Sequence, residues 1–136
     1  MPHDGQTMPT TLLPDLLALT RAAIAPAEAV LTKATDAMRA RVAPSGKVDA
    51  ALLEVDQHAA HGLAWLATYV ESLRQMQAWA ERLEGEGNFG EMEALIHQIA
   101  VGEYLQQVAG GIPMNQGEIV RMAEMGLDWS DLSAFQ

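Results

Sequence analysis

Two histidines three residues apart are the clearest candidates for chemistry. His58 and His61 fall on a predicted helix, where this spacing places both on one face, with Glu54 and Asp56 close by. A metal site would need a third and a fourth ligand from other helices, and the chain has neither an HExxH motif nor paired ExxH motifs. His58 and His61 are therefore only weak candidates for metal ligands. Capping, hydrogen bonding or lining an interface is the favoured interpretation.

A second group of candidates lies on the predicted third helix. A carboxylate within an apolar run, such as Glu103 near His97 and Tyr104, can have a raised pKa suited to proton abstraction. Glu103 can equally point to solvent or to a partner, and one acid without a substrate pocket does not make an enzyme. The chain also lacks GxGxxG, GxxxxGKS, GxxxxGKT and GxSxG motifs. We therefore assign no catalytic residue.

Composition indicates a helical protein and excludes several classes of partner. Of 136 residues, 49% are apolar and 5% aromatic, and runs of β-branched residues are almost absent. The net charge of −10, with eight scattered Lys and Arg, argues against nucleic acid and anionic membranes as partners. The absence of cysteine excludes disulfides and thiolate metal sites. With no secretory leader and no apolar run of spanning length, we expect a cytoplasmic protein.

The elements that must position these residues are helices. We expect an all-α, up-and-down bundle of three long helices plus a short helical C-terminal tail. One domain would cover residues 11–136, after a disordered lead-in over residues 1–10. The predicted elements are helices over residues 10–42, 49–83, 89–109 and 116–125, and a final turn over residues 128–135.

Three residues or spans carry further structural expectations. Pro26 lacks an N–H and should kink or divide the first helix near Ile24. Asp49 is a plausible N-cap for the second helix, which at about 35 residues is longer than its partners. One of its ends should then project and leave an apolar stripe, so we expect self-association or a bound partner.

Apolar spacings of three and four predict the buried face of each helix. The first face is Leu13, Leu16, Leu17, Thr20, Ile24, Ala27, Leu31, Ala34 and Met38. The second is Leu52, Val55, Ala59, Gly62, Leu63, Leu66, Val70, Leu73, Met76, Trp79 and Leu83. The third is Phe89, Met92, Ile96, Ile99, Tyr104 and Val108, and the final turn is anchored by Trp129 and Phe135. Trp65, Tyr69, Trp79 and the methionines are interpreted as core rather than as an adaptable ligand-binding face.

Two regions of the sequence resemble a known family. They are DQHAAHGLAWLATYVE at 56–71, and GEYL at 102–105 followed by AGGIPMNQGEIVR at 109–121. Over residues 13–127 the chain resembles the helical N-terminal extension of bacterial methylsuccinyl-CoA dehydrogenases, in the flavin-dependent acyl-CoA dehydrogenase superfamily. In that family the extension precedes a core that binds FAD and oxidises (2S)-methylsuccinyl-CoA to mesaconyl-CoA, a step of the ethylmalonyl-CoA pathway.

The resemblance implies a domain without its catalytic core. The superfamily's catalytic glutamate and FAD contacts belong to that core, so no residue here inherits those roles and no activity is expected from this chain alone. The chain would be a non-catalytic module acting in assembly with, or substrate access to, an acyl-CoA dehydrogenase core, in cis or in trans. The alternative is a stand-alone bundle that binds an apolar ligand or a partner helix.

We expect the partner interface or junction to involve the irregular segment 110–121, which mixes amide, carboxylate and guanidinium groups. The candidate residues for this role are His58, His61, Glu103, Tyr104, Met114, Gln116, Glu118 and Arg121. We expect no cofactor in this chain, and we expect a homo-oligomer.

Overall fold

The computed structural model describes residues 11–135, which form a helical bundle with one small β-hairpin. The elements are α1 (Leu16–Val42), α2 (Ala50–Val55), α3 (Gln57–Gly85), α4 (Glu91–Gly110), β1 (Ile112–Asn115), β2 (Glu118–Val120) and two 3₁₀ turns, Met122–Met125 and Trp129–Phe135. The prediction of a predominantly all-α bundle is confirmed. The expected lead-in over residues 1–10 lies outside the described residues.

The long helices α1, α3 and α4 surround the core. α1 packs along α3, and α4 contacts both. The helices are antiparallel, since Thr20 near the start of α1 is hydrogen bonded to Gln77 near the end of α3, and Gln77 contacts His97 in α4. The largest enclosed side chains include Val30, Leu66, Val70, Leu73, Val108, Ile112, Val120, Met122 and Met125. The core therefore continues from the helices into the hairpin and the first 3₁₀ turn.

The first helix differs from the prediction at two points. α1 begins at Leu16, so Leu13 precedes the helix and is exposed. The helix continues through Pro26, so it is not divided near Ile24, and a kink at that point stays a prediction. Pro26 removes one backbone donor, but the buried residues on both sides of it, Thr20 and Ala27 among them, hold one face against the core.

The predicted second helix is two helices. Asp49 is an N-cap as predicted, because its carboxylate accepts hydrogen bonds from the backbone N–H groups of Ala51 and Leu52 at 2.9 and 3.2 Å. The helix breaks at Asp56, so a single long helix is wrong. No residue of α2 is buried, and Leu52 and Val55 are exposed rather than core. α3 has 29 residues and α1 has 27, so α3 is not much longer than α1. The projecting end that was predicted for a helix of about 35 residues is therefore no longer expected.

The buried face of α4 was predicted correctly at Val108 but wrongly at three other residues. Its buried residues are Ala94, His97, Val101 and Val108. Met92, Ile96 and Ile99 are instead 66%, 52% and 63% exposed. α4 carries apolar side chains on more than one face, so spacing alone does not decide which face the bundle covers.

The predicted short helix over residues 116–125 is wrong. Residues 116–117 instead form the turn of an antiparallel hairpin, in which Ile112 pairs with Val120 and Pro113 with Ile119. Gly117 has a φ of 79°, in the left-handed region that favours glycine. A 3₁₀ turn, Met122–Met125, follows the hairpin.

The final turn is held differently from the expectation. Trp129 is 71% exposed, so its predicted role as an anchor is wrong. Leu132 is buried instead, and Phe135 packs against the core while partly exposed. The turn is also fixed to α1 by an ion pair of 2.7 Å between Lys33 Nζ and Asp131 Oδ1.

Candidate functional site

The β-hairpin packs tightly on the N-terminal half of α3. A Cβ atom added to Gly62 would lie 2.4 Å from Cγ2 of Val120, which is too close for any real contact. Glycine at this position therefore lets β2 lie directly against the helix. We call this region, where β1, β2 and Met122–Met125 cover α3, the hairpin end.

The two sequence regions that carry the family resemblance meet between α3 and α4. The Tyr69 hydroxyl donates a hydrogen bond to Oε1 of Gln107 at 2.5 Å. Its ring stacks on Tyr104 with centroids 4.4 Å apart. Burial raises the pKa of Tyr69, and the neighbouring Tyr104 and Glu103 raise it further. Tyr69 is thus a neutral hydrogen-bond donor that joins the two helices.

His58 and His61 lie on the surface of the hairpin end. Nε2 of His58 is 3.2 Å from Oε1 of Glu124. Nε2 of His61 accepts a hydrogen bond from the indole N–H of Trp65 at 3.0 Å. Both histidines line a surface cavity of about 460 Å³ with Gln57 and Glu118. The cavity brings together three of the eight predicted interface residues.

These contacts do not assemble a metal site. Within residues 11–135, no group of three or more His, Asp or Glu side chains is placed to hold one metal ion. The Nε2 lone pair of His61 is already used by Trp65, and Nε2 of His58 lies against Glu124. The geometry gives His61 a hydrogen bond and places His58 beside a carboxylate, both at the surface.

The remaining predicted interface residues are dispersed. Met114 is buried in the core, whereas Gln116 is exposed in the hairpin turn. Glu103 accepts a hydrogen bond of 3.3 Å from Gln107. Arg121 lies beside a different cavity, and its guanidinium makes no hydrogen bond or ion pair within the described chain. The eight residues therefore do not form one pocket.

A buried polar cluster joins all three long helices, and the sequence reasoning missed it. The Thr20 hydroxyl lies 2.6 Å from Oε1 of Gln77, and Nε2 of His97 lies 3.0 Å from that hydroxyl. Nδ1 of His97 is buried without a hydrogen-bond partner among the described residues. The signals in the sequence were Thr20, on the predicted apolar face of the first helix, and Gln77, four residues after Leu73 of the second face.

His97 and Glu103, the acid–base candidates on α4, lie in different surroundings, because only His97 belongs to the buried polar cluster. Burial lowers the pKa of His97, against a smaller opposing effect of the Glu81 carboxylate. Glu103 is exposed, and its carboxylate accepts a hydrogen bond from the Gln107 side chain. His97 and Glu103 therefore have different surroundings and do not share a site for proton abstraction.

The sequence of this helical bundle is acyl-CoA dehydrogenase-like. The chain is 58% identical over 117 residues, 86% of its length, to (2S)-methylsuccinyl-CoA dehydrogenase from Cereibacter sphaeroides. The match covers 21% of that enzyme, so the chain spans about a fifth of the length of this curated relative. The resemblance inferred from the sequence is confirmed, and it is consistent with an N-terminal portion without the catalytic core. No protein-family profile matches the chain.

None of the helices within residues 11–135 combines the length and apolar character needed to cross a membrane.

Proposed function

We propose that the chain is a non-catalytic module that assembles with an acyl-CoA dehydrogenase core in the cytoplasm. One observation carries the proposal: the 58% identity extends over 86% of this chain but over only 21% of (2S)-methylsuccinyl-CoA dehydrogenase. A segment that leaves about four fifths of the enzyme outside the match fits a supporting domain better than the catalytic one. The core supplies FAD and the catalytic base, and it lies in the same polypeptide or in a separate subunit.

The hairpin end supplies the polar part of the proposed contact. Its exposed side chains carry imidazole, amide, carboxylate and guanidinium groups, a mixture typical of the rim of a protein interface. The exposed residues are His58, His61, Gln116, Glu118 and Arg121, with Glu103 exposed and Tyr104 half-buried on the neighbouring helix. Met114 supports this surface from the core. Through it the module would stabilise the assembled enzyme or shape substrate access.

The test replaces the matching segment of the Cereibacter sphaeroides enzyme with this chain, and deletes that segment in a second variant. We expect the chimera to keep flavin reduction by (2S)-methylsuccinyl-CoA, the unfolding temperature and the oligomeric state. Deletion should impair at least one of these. If all three are indifferent to the deletion, the module has no such function.

A homo-oligomeric state also stays a proposal. Light scattering of the isolated chain at high concentration tests it. A mass above the 14.7 kDa of one chain supports self-association, and a clean monomer mass counts against it.

A second candidate function is binding of an apolar ligand that carries a carboxylate. It is favoured by a surface cavity of about 340 Å³, whose lining includes Met122, Leu127, Leu132 and Trp129. The Arg121 guanidinium, which has no partner among residues 11–135, lies beside them. A medium-chain fatty acid should then raise the unfolding temperature of the wild type but not of Arg121→Gln. The absence of any shift in the wild type would eliminate this candidate.

A further inference from the structure

The outer face of α4 is apolar but has no cover within the described chain. Met92, Ile96 and Ile99 recur at intervals of four and three, which aligns them along one side of the helix. More than half of each side chain is exposed, while Val101 on the inner face is buried. A row of large aliphatic residues on a helix surface marks an interaction site more often than an ordinary solvated face.

A hollow adjoins this row. Between α3 and α4 lies a surface cavity of about 310 Å³, lined mainly by apolar atoms of Met76, Trp79, Ile96 and Ala100. Trp79 is half-buried and is fixed by an edge-on contact with Phe89, at 6.5 Å between centroids. A ridge beside a hollow can receive the side chains of a partner helix by interdigitation.

Charge decides between the possible occupants. α4 contains no Lys or Arg, Glu91 is exposed at its start, and Glu103 continues the line of Ile99 one turn further on. A second copy would set the same carboxylates against each other, on chains that each carry a net charge of −10. An apolar patch with Lys or Arg at its rim complements this face.

We propose that the outer face of α4, from Met92 to Glu103, docks onto the acyl-CoA dehydrogenase core. This inference rests on the proposed function and names the surface that serves it. The occupant is an apolar patch of the core, with a basic residue opposite Glu103. About four fifths of the Cereibacter sphaeroides enzyme lies outside the match with this chain, which leaves ample protein to supply that patch. Docking covers the ridge and fills the hollow beside Trp79.

The test measures amide hydrogen exchange of residues 92–103 in the isolated chain and in the chimera with the Cereibacter sphaeroides enzyme. We expect exchange to be about tenfold slower in the chimera. The double variant Ile96→Glu/Ile99→Glu should return it to the isolated rate, because charge on the ridge prevents docking. Val55→Glu, at an apolar position on α2 that is more exposed than either isoleucine, is the control and should keep the slow exchange.

The double variant must first be shown to unfold at the same temperature as the wild type in isolation, which is expected because both isoleucines are exposed. Equal exchange in the isolated chain and the chimera overturns the proposal, as does a double variant that behaves like Val55→Glu. If deletion of the whole segment still impairs the enzyme, those results overturn only the docking surface. If the deletion has no effect, the proposed function fails with it.

Discussion

The hairpin end and the outer face of α4 are both rich in apolar residues. Among the described residues, other elements cover most of the apolar side chains of the hairpin end but not those of the outer face of α4. At the hairpin end, Val120 fits so tightly against Gly62 that no Cβ atom can be added. On α4, Ile96 and Ile99 remain more than half exposed. Apolar side chains stabilise a fold only where a second element covers them. The contrast is that the apolar side chains of the hairpin end are largely covered within the chain, whereas those on the outer face of α4 are open to a partner.

The largest expected effect comes from a substitution that disrupts the packing of the hairpin end on α3. Gly62→Ala should lower the free energy of unfolding by about 2 kcal/mol, because its Cβ overlaps Val120. Gly102→Ala on α4 is the control, since a Cβ there meets nothing within 4 Å, and it should stabilise by about 0.5 kcal/mol. Urea unfolding measures both, and Val120→Ala should partly rescue Gly62→Ala. Equal effects of the two alanines would show that the hairpin does not press on α3.

A smaller loss is expected where α3 and α4 join beside the hairpin. Tyr69→Phe removes the hydrogen bond to Gln107 and should cost about 1 kcal/mol of unfolding free energy. Tyr104→Phe keeps the ring stack, and its hydroxyl has no hydrogen-bond partner among residues 11–135, so it should have little effect. Thermal unfolding of the two variants compares them, and a Tyr104→Phe loss as large as that of Tyr69→Phe would contradict this assignment.

On the inner face of α4, His97 should make the free energy of unfolding depend on pH. Burial lowers the pKa of His97 below the ordinary value of 6.5, so the unfolded chain binds this proton more readily than the folded chain. The stabilisation from neutral His97 is complete above the ordinary histidine pKa, and it is lost as the pH falls below that value toward the lowered pKa of the folded chain. Urea unfolding at about pH 7.5 and about pH 5.5 should show this slope in the wild type and a weaker slope in His97→Gln. Identical slopes in the two proteins would show that protonation of His97 does not contribute to the pH dependence of stability.

The smallest effect is expected on the outer face of α4. Ile99→Ser should change the unfolding free energy of the isolated chain by less than about 0.5 kcal/mol, because Ile99 is largely exposed. Val101→Ala, two residues along on the inner face, should cost about 2 kcal/mol. A large loss in Ile99→Ser would mean that the outer face is already covered within the chain.

Sequence patterns predicted the parts of this fold that local rules determine. Asp49 caps a helix as its side chain suggested, and apolar spacing identified most of the α3 face, from Ala59 to Leu73. Spacing did not resolve α4, because apolar residues occupy several of its faces. It also missed the hairpin, although Gly117 lies between short runs with β-branched residues, which is a hairpin signal.

The candidate site was predictable only residue by residue. The resemblance drew attention to segments that contain His58, Tyr104 and Glu118, but their contacts depend on how distant elements pack. The contact between Gly62 and Val120 joins a helix to a strand that the sequence pattern had assigned to a helix. The break at Asp56 had no clear signal, so the exposure of α2 was not foreseen.

Methionine oxidation compares the two regions most directly. Met92 is exposed on the outer face of α4, whereas Met122 and Met125 are enclosed at the hairpin end. With dilute hydrogen peroxide, mass spectrometry of the isolated chain should find rapid oxidation of Met92 and slow oxidation of the other two. In the chimera with the Cereibacter sphaeroides enzyme, Met92 should become as slow as Met122. Rapid oxidation of Met92 in both proteins would contradict the account.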